Sequence, residues 1–435
     1  MNRMVKTGNT LLVDGPASVT ITSGRVVVFG ASIRNLERIV VREGKRLPFT
    51  VKEEATLTLS LGKDANAEEV HQGTIPLSWI KVSEELSAST LKPFVLVIIG
   101  AVDSGKTSLS TYLTNRLIEE GRKVAILDGD IGQSDIGPPC TLSYAFAQKP
   151  LTDLFNLYAD DAFFVGVTSP SSVAHKVIEG LLMLMQEILA HNPDFVIVNT
   201  DGWVEEEAAN YKSQLVEELK PNIILCLQQE DELASLVKTL GESTTVVDSP
   251  VSVKQRNQEK RKRLRELAYM KYLREAKVRS VPLNWVTVEE DELFGLANNR
   301  GDMKHIGNIY QNLGMKPLHL GEQRDRISII IGRRRWIDPV GIRKVEEITG
   351  KKAVVVRKGE EEGTLVALYN SERRFLGIGA LREIDYRRKN LKILTPVQDE
   401  ISLVVVGKVK LDDNLRETPL LAEDQTDLAG IEDIS

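Results

Sequence analysis

Residues Phe94 to Thr107 read F-V-L-V-I-I-G-A-V-D-S-G-K-T. The unbroken apolar run Phe94 to Ile99 predicts a strand buried on both faces. Gly100, Ala101, Val102, Asp103, Ser104, Gly105, Lys106 and Thr107 then spell the phosphate-binding loop pattern GxxxxGK[ST]. From Ser108 onward, Leu109, Leu113 and Leu117 recur at helical spacing as far as Gly121, so an amphipathic helix is predicted to follow. Strand, glycine loop and helix form the order that phosphate binding requires. The glycines let backbone N–H groups close around phosphate oxygens, and the helix N-terminus adds positive potential there. Lys106 is placed to reach β- and γ-phosphates and Thr107 to offer its hydroxyl to Mg²⁺, with Ser108 completing the contact set. The loop specifies a nucleoside triphosphate, ATP or GTP, and leaves the phosphate acceptor open.

A second strand, Val124-Ala-Ile-Leu127, runs into Asp128-Gly-Asp130-Ile-Gly-Gln133. Carboxylates two residues apart at a strand's carboxyl end both reach the crevice above an α/β sheet, where ligands bind. Beside a phosphate loop, one can help hold Mg²⁺ through water and the other can take the proton of an attacking hydroxyl. Without that loop the same residues would read as a polar turn. A third strand, Phe195-Val-Ile-Val-Asn199, is followed by Thr200-Asp-Gly-Trp203. A tryptophan just past a strand end can stack on a base or wall in phosphates; in isolation it reads as core.

The formal net charge of −6 hides an asymmetry: Lys254 to Arg279 holds 11 basic and 3 acidic residues, a surplus of +8, which leaves −14 for the remainder. Nucleic-acid binding follows local rather than total potential. Leu264, Leu267 and Ala268 give this segment a helical stripe. Kinases use a mobile basic lid over the transferring phosphate; a solvated charged helix is the plain alternative.

At 435 residues the chain is long enough for two or three domains. Alternating segments such as Val19-Thr-Ile-Thr22, Arg25-Val-Val-Val-Phe29 and Thr56-Leu-Thr-Leu-Ser60 predict a small β domain over residues 1–90. The predicted fold class is α/β: a P-loop NTPase core with a mostly parallel sheet over 91–312, its basic lid at about 250–280, flanked by N-terminal and C-terminal β-rich domains. The C-terminal domain, 313–422, is expected to have strands at Arg326–Ile331, Ala353–Val356, Leu365–Leu368 and Ser402–Val406 and a short helix from Val340 to Ile348. Residues 423–435 read as an acidic, disordered tail. No apolar run is long enough to span a membrane, and the first residues lack the apolar segment of a signal peptide. Cys140 and Cys226 lack metal-ligand spacing, so a soluble, cytoplasmic chain with reduced thiols is expected. His175, ahead of the apolar helix expected from Val177 to Ile188, reads as a cap or polar contact rather than a base, and His71, His191, His305 and His319 are scattered and suggest no metal cluster. Trp79 reads as a packing anchor between domains, Trp285 and Trp336 as structural, and Arg333-Arg-Arg335 as solvated surface.

Together, and at these spacings, the phosphate loop, DxDxGQ and TxGW resemble the polynucleotide 5′-hydroxyl kinase family, whose eukaryotic members act in pre-mRNA 3′-end formation, tRNA splicing and ribosomal RNA processing and which has archaeal members. Thr168-Ser-Pro170, Gly15-Pro-Ala-Ser18 with Phe29-Gly30, and Leu394-Thr-Pro396 with Gly407 extend the resemblance over most of the chain. It implies transfer of the γ-phosphate of ATP or GTP to the 5′-OH of RNA, with DNA as a further acceptor, protein partners in RNA processing, and no membrane. By the same resemblance, Lys106 and the amides of Gly100 to Thr107 hold the triphosphate, and the N-terminal domain touches the base. Thr107 ligates Mg²⁺ with Asp128 behind it and Asp130 is the general base, the two aspartates being exchangeable at this point. Gln133, Thr200 and Trp203 face the acceptor strand or the phosphates. The family's lid carries two arginines five residues apart, a spacing that Arg256 and Arg261 match. On an ideal helix they would sit about 140° apart, so both meet one phosphate only if the segment begins irregularly or clasps from two sides; Arg263 and Arg265 are alternatives. Two other classes stay open. A P-loop GTPase or metallochaperone would want a guanine-reading NKxD, which is absent. Against a catalytically silent nucleotide-bound scaffold stand the intact Lys106, Asp130 and basic lid.

Overall fold

The computed structural model describes residues 1–241, 243–291, 294–296 and 306–418. His305 and the expected tail over 423–435 lie outside the described residues. The chain forms two compact units, Met1–Ala268 and Tyr269 onward.

In the first unit a seven-stranded sheet runs in the order Asp161–Phe164, Thr141–Ala147, Val124–Gly129, Phe195–Thr200, Phe94–Gly100, Ile223–Gln228, Thr244–Asp248. The last five are parallel, and the first two extend the sheet antiparallel. The apolar run Leu96 to Ile99 is 0% exposed because helices cover both faces. Its side chains alternate. Val97 and Ile99 join the core built by Val177, Leu181, Leu184 and Ile188 of helix Ala174–Ala190. Leu96 and Ile98 meet Leu109, Leu113 and Leu117 of helix Lys106–Glu119 and Trp79 of helix Leu77–Ala88. Each such side chain contributes about 1.5–3 kcal/mol of burial, so strand and helix fix where the loop between them sits. Trp79 anchors its helix by packing against Tyr112, with ring centroids 6.0 Å apart, and donating from Nε1 to the Asp248 carbonyl at 2.9 Å.

The first 70 residues form a separate seven-stranded antiparallel sheet around two long strands, Ala17–Val28 and Arg46–Leu61. The period-2 pattern turns Val19, Ile21, Val26 and Val28 inward against Phe49, Val51 and Leu57. The connection ahead of Arg46 carries Arg42, Glu43, Gly44 and Lys45, which reach the functional site.

In the second unit, strands Lys277–Pro282 and Thr287–Glu289 pair with Asn390–Thr395 and Leu403–Leu411 in a sheet that also holds Thr364–Tyr369 and Phe375–Asp385. Residues 277–289, allotted by sequence to the kinase core, thus build this sheet; register decides the matter, and the local pattern does not reveal it. A three-stranded sheet of His319–Glu322, Arg326–Ile331 and Lys352–Arg357 accompanies helices Ile306–Leu313 and Pro339–Thr349. The second helix starts where sequence chemistry puts it: Asp338 accepts from Val340 N at 2.9 Å and Pro339 holds the first turn. Trp285 and Trp336, read as structural, are 74% and 68% exposed; both lie on connections outside the cores. No described helix is long and apolar enough to cross a membrane.

Candidate active site

The phosphate loop leaves the central strand between Phe195–Thr200 and Ile223–Gln228. Two glycines are dictated by its shape. Gly105 has φ +106° at the helix N-cap, and a Cβ on Gly100 would fall 2.8 Å from the Leu227 carbonyl oxygen. Lys106 is buried and donates from Nζ to the carbonyls of Gly100 and Ala101, each at 2.8 Å. Burial pushes its pKa down to about 8, with Asp130 pulling the other way. Thr107 and Ser108 line the same cavity, of about 560 Å³, with Asp130, Gln133 and the connection Arg42 to Arg46.

The two aspartates differ sharply. Asp128 is 0% exposed. Its Oδ2 accepts from the backbone of Asp135 at 2.8 Å and Ile136 at 3.2 Å and from Ser134 Oγ at 3.2 Å; Oδ1 accepts from Asn199 Nδ2 at 3.2 Å. It pins the loop 130–136 from below and lines neither cavity. Burial, then the charges of Asp135 and Asp130, raise its pKa to about 7, and the backbone donors oppose this. Asp130 accepts from Gly132 N at 3.1 Å and Gln133 N at 2.9 Å. Burial raises its pKa, while Lys106 lowers it. Asp130 and Gln133 lie in the wall shared by the nucleotide-loop cavity and a second cleft of about 750 Å³, lined also by Thr168 to Ser171, Trp203 and Arg265.

Thr200 is spent elsewhere. Its buried hydroxyl donates to the Ile98 carbonyl at 2.8 Å, and it lines neither cavity. Trp203 lines the second cleft, and its ring stacks on Tyr211 with centroids 5.7 Å apart. Gly202 presses on the phosphate loop so closely that a Cβ would lie 2.8 Å from the Val102 backbone nitrogen. Beneath them lies a charged knot that motif reading missed. Asp201 accepts from Trp203 N at 2.9 Å, Tyr211 Oη at 2.8 Å and Lys212 Nζ at 3.0 Å, with the Lys212 side chain 0% exposed. Burial, together with the Asp201 charge, raises the Tyr211 pKa. A signal existed: Lys212 falls on the buried stripe of helix Ala209–Leu219 with Leu215 and Leu219, where an unpaired lysine would not be tolerated.

The lid arginines meet the phosphate loop at Asp103, a non-glycine residue at φ +58°. Its Oδ1 pairs with Arg256 Nε at 2.9 Å, and its Oδ2 accepts from Arg256 N at 2.8 Å and lies 3.4 Å from Arg261 Nη1. Arg256 precedes helix Gln258–Tyr272 and Arg261 lies inside it, so an irregular start removes the angular conflict of a continuous helix. Arg261 Nη1 also donates to the Arg256 carbonyl at 2.7 Å, and Gln133 Nε2 donates to the Arg261 carbonyl at 3.1 Å. Arg263 instead pairs with Glu266 at 3.3 Å and Glu43 at 3.6 Å. A second cluster, between residues about a hundred positions apart and invisible to motif reading, ties the N-terminal sheet to the Asp130 loop. Arg42 pairs with Asp153 at 2.7 Å and Asp135 at 2.9 Å, and Lys45 with Asp135 at 2.8 Å. These cations outweigh burial and hold the Asp135 carboxyl far below the usual range. Among the described residues no group of His, Cys, Asp and Glu could hold a metal alone. Cys140 and Cys226 are buried free thiols, and burial pushes Cys226 up to about 12.

The whole arrangement can hold a polyphosphate on backbone amides, Lys106 and Thr107, present cations from the lid, and place a carboxylate between it and a neighbouring cleft. Residues 100–275 match the family model of the P-loop region of the mRNA cleavage and polyadenylation factor CLP1. The chain is 30% identical over 341 residues to a polyribonucleotide 5′-hydroxyl-kinase of Pyrococcus abyssi, covering 77% of this chain and 92% of that protein. A protein of the same description from Methanocaldococcus jannaschii is 29% identical over 339 residues, covering 77% and 91%. Among solved structures, Clp1p in its wild-type complex with Pcf11p superposes with a TM-score of 0.65 at 14% identity, covering 94% of this chain and 97% of that one; this likeness is one of fold.

Proposed function

The chain belongs to the polyribonucleotide 5′-hydroxyl-kinase family, and on that premise we propose that it transfers the γ-phosphate of ATP or GTP to the 5′-hydroxyl of RNA. The observation that carries the reading is the position of Asp130 in the wall between the phosphate-loop cavity and the adjoining cleft. The triphosphate occupies the first and the 5′ end of the acceptor the second. The 5′ oxygen bonds to the γ-phosphorus as the bond from that phosphorus to the bridging oxygen breaks. The hydroxyl proton passes to Asp130, and the nucleoside diphosphate leaves. Burial raises the Asp130 pKa and so makes it a better base than a carboxylate in water, while the Lys106 charge opposes that rise.

Lys106 turns from the carbonyls of Gly100 and Ala101 to the phosphates. Gln133 and Trp203 orient the acceptor's end, and Thr200 supports the loop of Trp203 from within the sheet. Both terminal nitrogens of Arg256, and Nε and Nη2 of Arg261, are left over by Asp103 to meet charge that develops on the moving phosphoryl group. Thr107, which lines the same cavity as Asp130, would hold Mg²⁺, whose charge would offset that of the phosphates. Asp128, with both oxygens occupied by protein donors, serves the metal side only by shaping the 130–136 loop. Asp130→Asn should retain ATP binding and lose transfer, whereas Asp128→Asn should lose stability as well as rate. The opposite pattern would exchange the two roles.

A further inference from the structure

A second basic concentration lies outside this site. Arg326 to Lys358 contains 10 basic and 3 acidic residues, a surplus of +7 in a chain whose total is −6. At its middle, the connection after strand Arg326–Ile331 turns tightly, Arg335 N donating to the Gly332 carbonyl at 2.9 Å. Arg333, Arg334, Arg335 and Trp336 all point to solvent, Trp336 at 68% exposure. A packed tryptophan buries about 150–250 Å², and this one forgoes that gain. Arg333 has only a loose partner, Glu362 at 3.7 Å, and Arg334 and Arg335 have no ion-pair partner among the described residues. The acidic run alongside is partly turned inward. Glu360 accepts from Arg357 N at 2.9 Å, and Glu361 from Gly359 N at 2.6 Å and Ile384 N at 3.2 Å. The turn therefore keeps a local positive surplus around an exposed π-face.

We propose that the Arg333–Trp336 turn is a docking site for single-stranded RNA, its guanidiniums on backbone phosphates and its indole under a base. The proposal builds on the RNA-kinase reading, to which it adds a second contact for the strand. An acidic peptide would satisfy the arginines but would meet the indole only where an aromatic or proline residue falls beside its acidic ones. A single strand offers an anion and a stacking face at every nucleotide.

The test is the affinity of the whole chain for labelled single-stranded RNA, by fluorescence anisotropy over a series of salt concentrations. Arg333→Ala/Arg334→Ala/Arg335→Ala should weaken binding and flatten the slope of log affinity against log salt by about 2, since each phosphate contact to a single strand contributes about 0.7. Trp336→Ala should weaken binding by about 5- to 150-fold with the slope unchanged, the loss of one stacked base, while Trp336→Phe should keep most of it. All four side chains are exposed, so melting midpoints should match the wild type. Wild-type RNA affinity in both alanine variants would overturn the proposal, also if those variants proved to have lost a protein partner. Phosphoryl transfer assayed in parallel separates the two readings. If the wild type transfers no phosphate but the variants bind RNA more weakly than it does, the docking site stands without the kinase; if the wild type transfers phosphate and the variants bind as it does, only the kinase stands.

Discussion

Asp103→Asn isolates the clasp between the phosphate loop and the lid. Asparagine tolerates a left-handed backbone, so the φ of +58° is kept. Its amide oxygen can still accept from Arg256 N, now at 2.8 Å. What disappears is the negative charge facing Arg256 Nε at 2.9 Å and Arg261 Nη1 at 3.4 Å. The first is a charge-assisted hydrogen bond worth about 1.5–3 kcal/mol, and the second is long. The Asp103 side chain is 6% exposed but the arginines are 22% and 28% exposed, and screening trims the pair to about 1–2 kcal/mol. If that energy holds the guanidiniums where the phosphoryl group passes, it is lost from the chemical step. kcat at saturating RNA and triphosphate should fall about 5- to 30-fold, with KM for RNA changed less than about twofold. Steady-state transfer to a 5′-OH oligonucleotide reads both. An unchanged kcat would mean that the clasp is idle, and a raised one that Asp103 competes with the phosphate for the arginines; either refutes the positioning role.

Lys106→Ala should cost at least about 10² in transfer, the order for a main transition-state charge, with an unaltered circular dichroism spectrum; near-normal turnover would move the active site elsewhere. Because burial lowers the Lys106 pKa to about 8 and bound phosphates favour its charged form, triphosphate binding at pH 8.5 should take up a proton that Lys106→Ala does not, as calorimetry in buffers of different ionisation heat would detect; equal uptake in both proteins would contradict this. For Asp128 the folded pKa of about 7 lies above its ordinary 3.8, so between those values the folded state retains a proton the unfolded chain has released. Stability should decline as pH rises from about 4 to 7 and be indifferent to this group outside that window; in Asp128→Asn that component should vanish from the pH dependence of the unfolding midpoint, and superimposable slopes would deny it. Lys212→Met strands the Asp201 charge, which should destabilise the first unit by about 3–5 kcal/mol and alter Trp203 emission, whereas Tyr211→Phe, which leaves the ion pair, should do so far less; equal denaturant midpoints for wild type and Lys212→Met would show that the pair is dispensable.

What the sequence disclosed about this site is what chemistry requires within a few residues. The phosphate loop needs its glycines and lysine consecutively, and strand Phe94–Gly100 needs an unbroken apolar run because both its faces are covered. Asp128 and Asp130 were equivalent as letters. Only the donors around them, from Ser134, Asp135, Ile136 and Asn199, separate a buried loop pin from a carboxylate on the cavity wall. Thr200 looked like a ligand because motif reading does not say that its hydroxyl is taken by Ile98. The pairs Asp103–Arg256 and Arg42–Asp135 join residues about 150 and 90 positions apart, and a single sequence holds no register for such contacts. The same blindness hid the pairing of Lys277–Pro282 with Asn390–Thr395.

The most direct test of the central claim is end-group analysis after incubation of the purified chain with γ-labelled ATP, Mg²⁺ and a 5′-OH RNA oligonucleotide. Label is expected in the 5′-terminal nucleotide, recovered as a nucleoside 5′-monophosphate on nuclease digestion, and none when the RNA is phosphorylated at its 5′ end beforehand or when Lys106 is replaced by alanine. Label released only as inorganic phosphate, or none transferred to RNA with either ATP or GTP while the nucleotide remains bound, would contradict it.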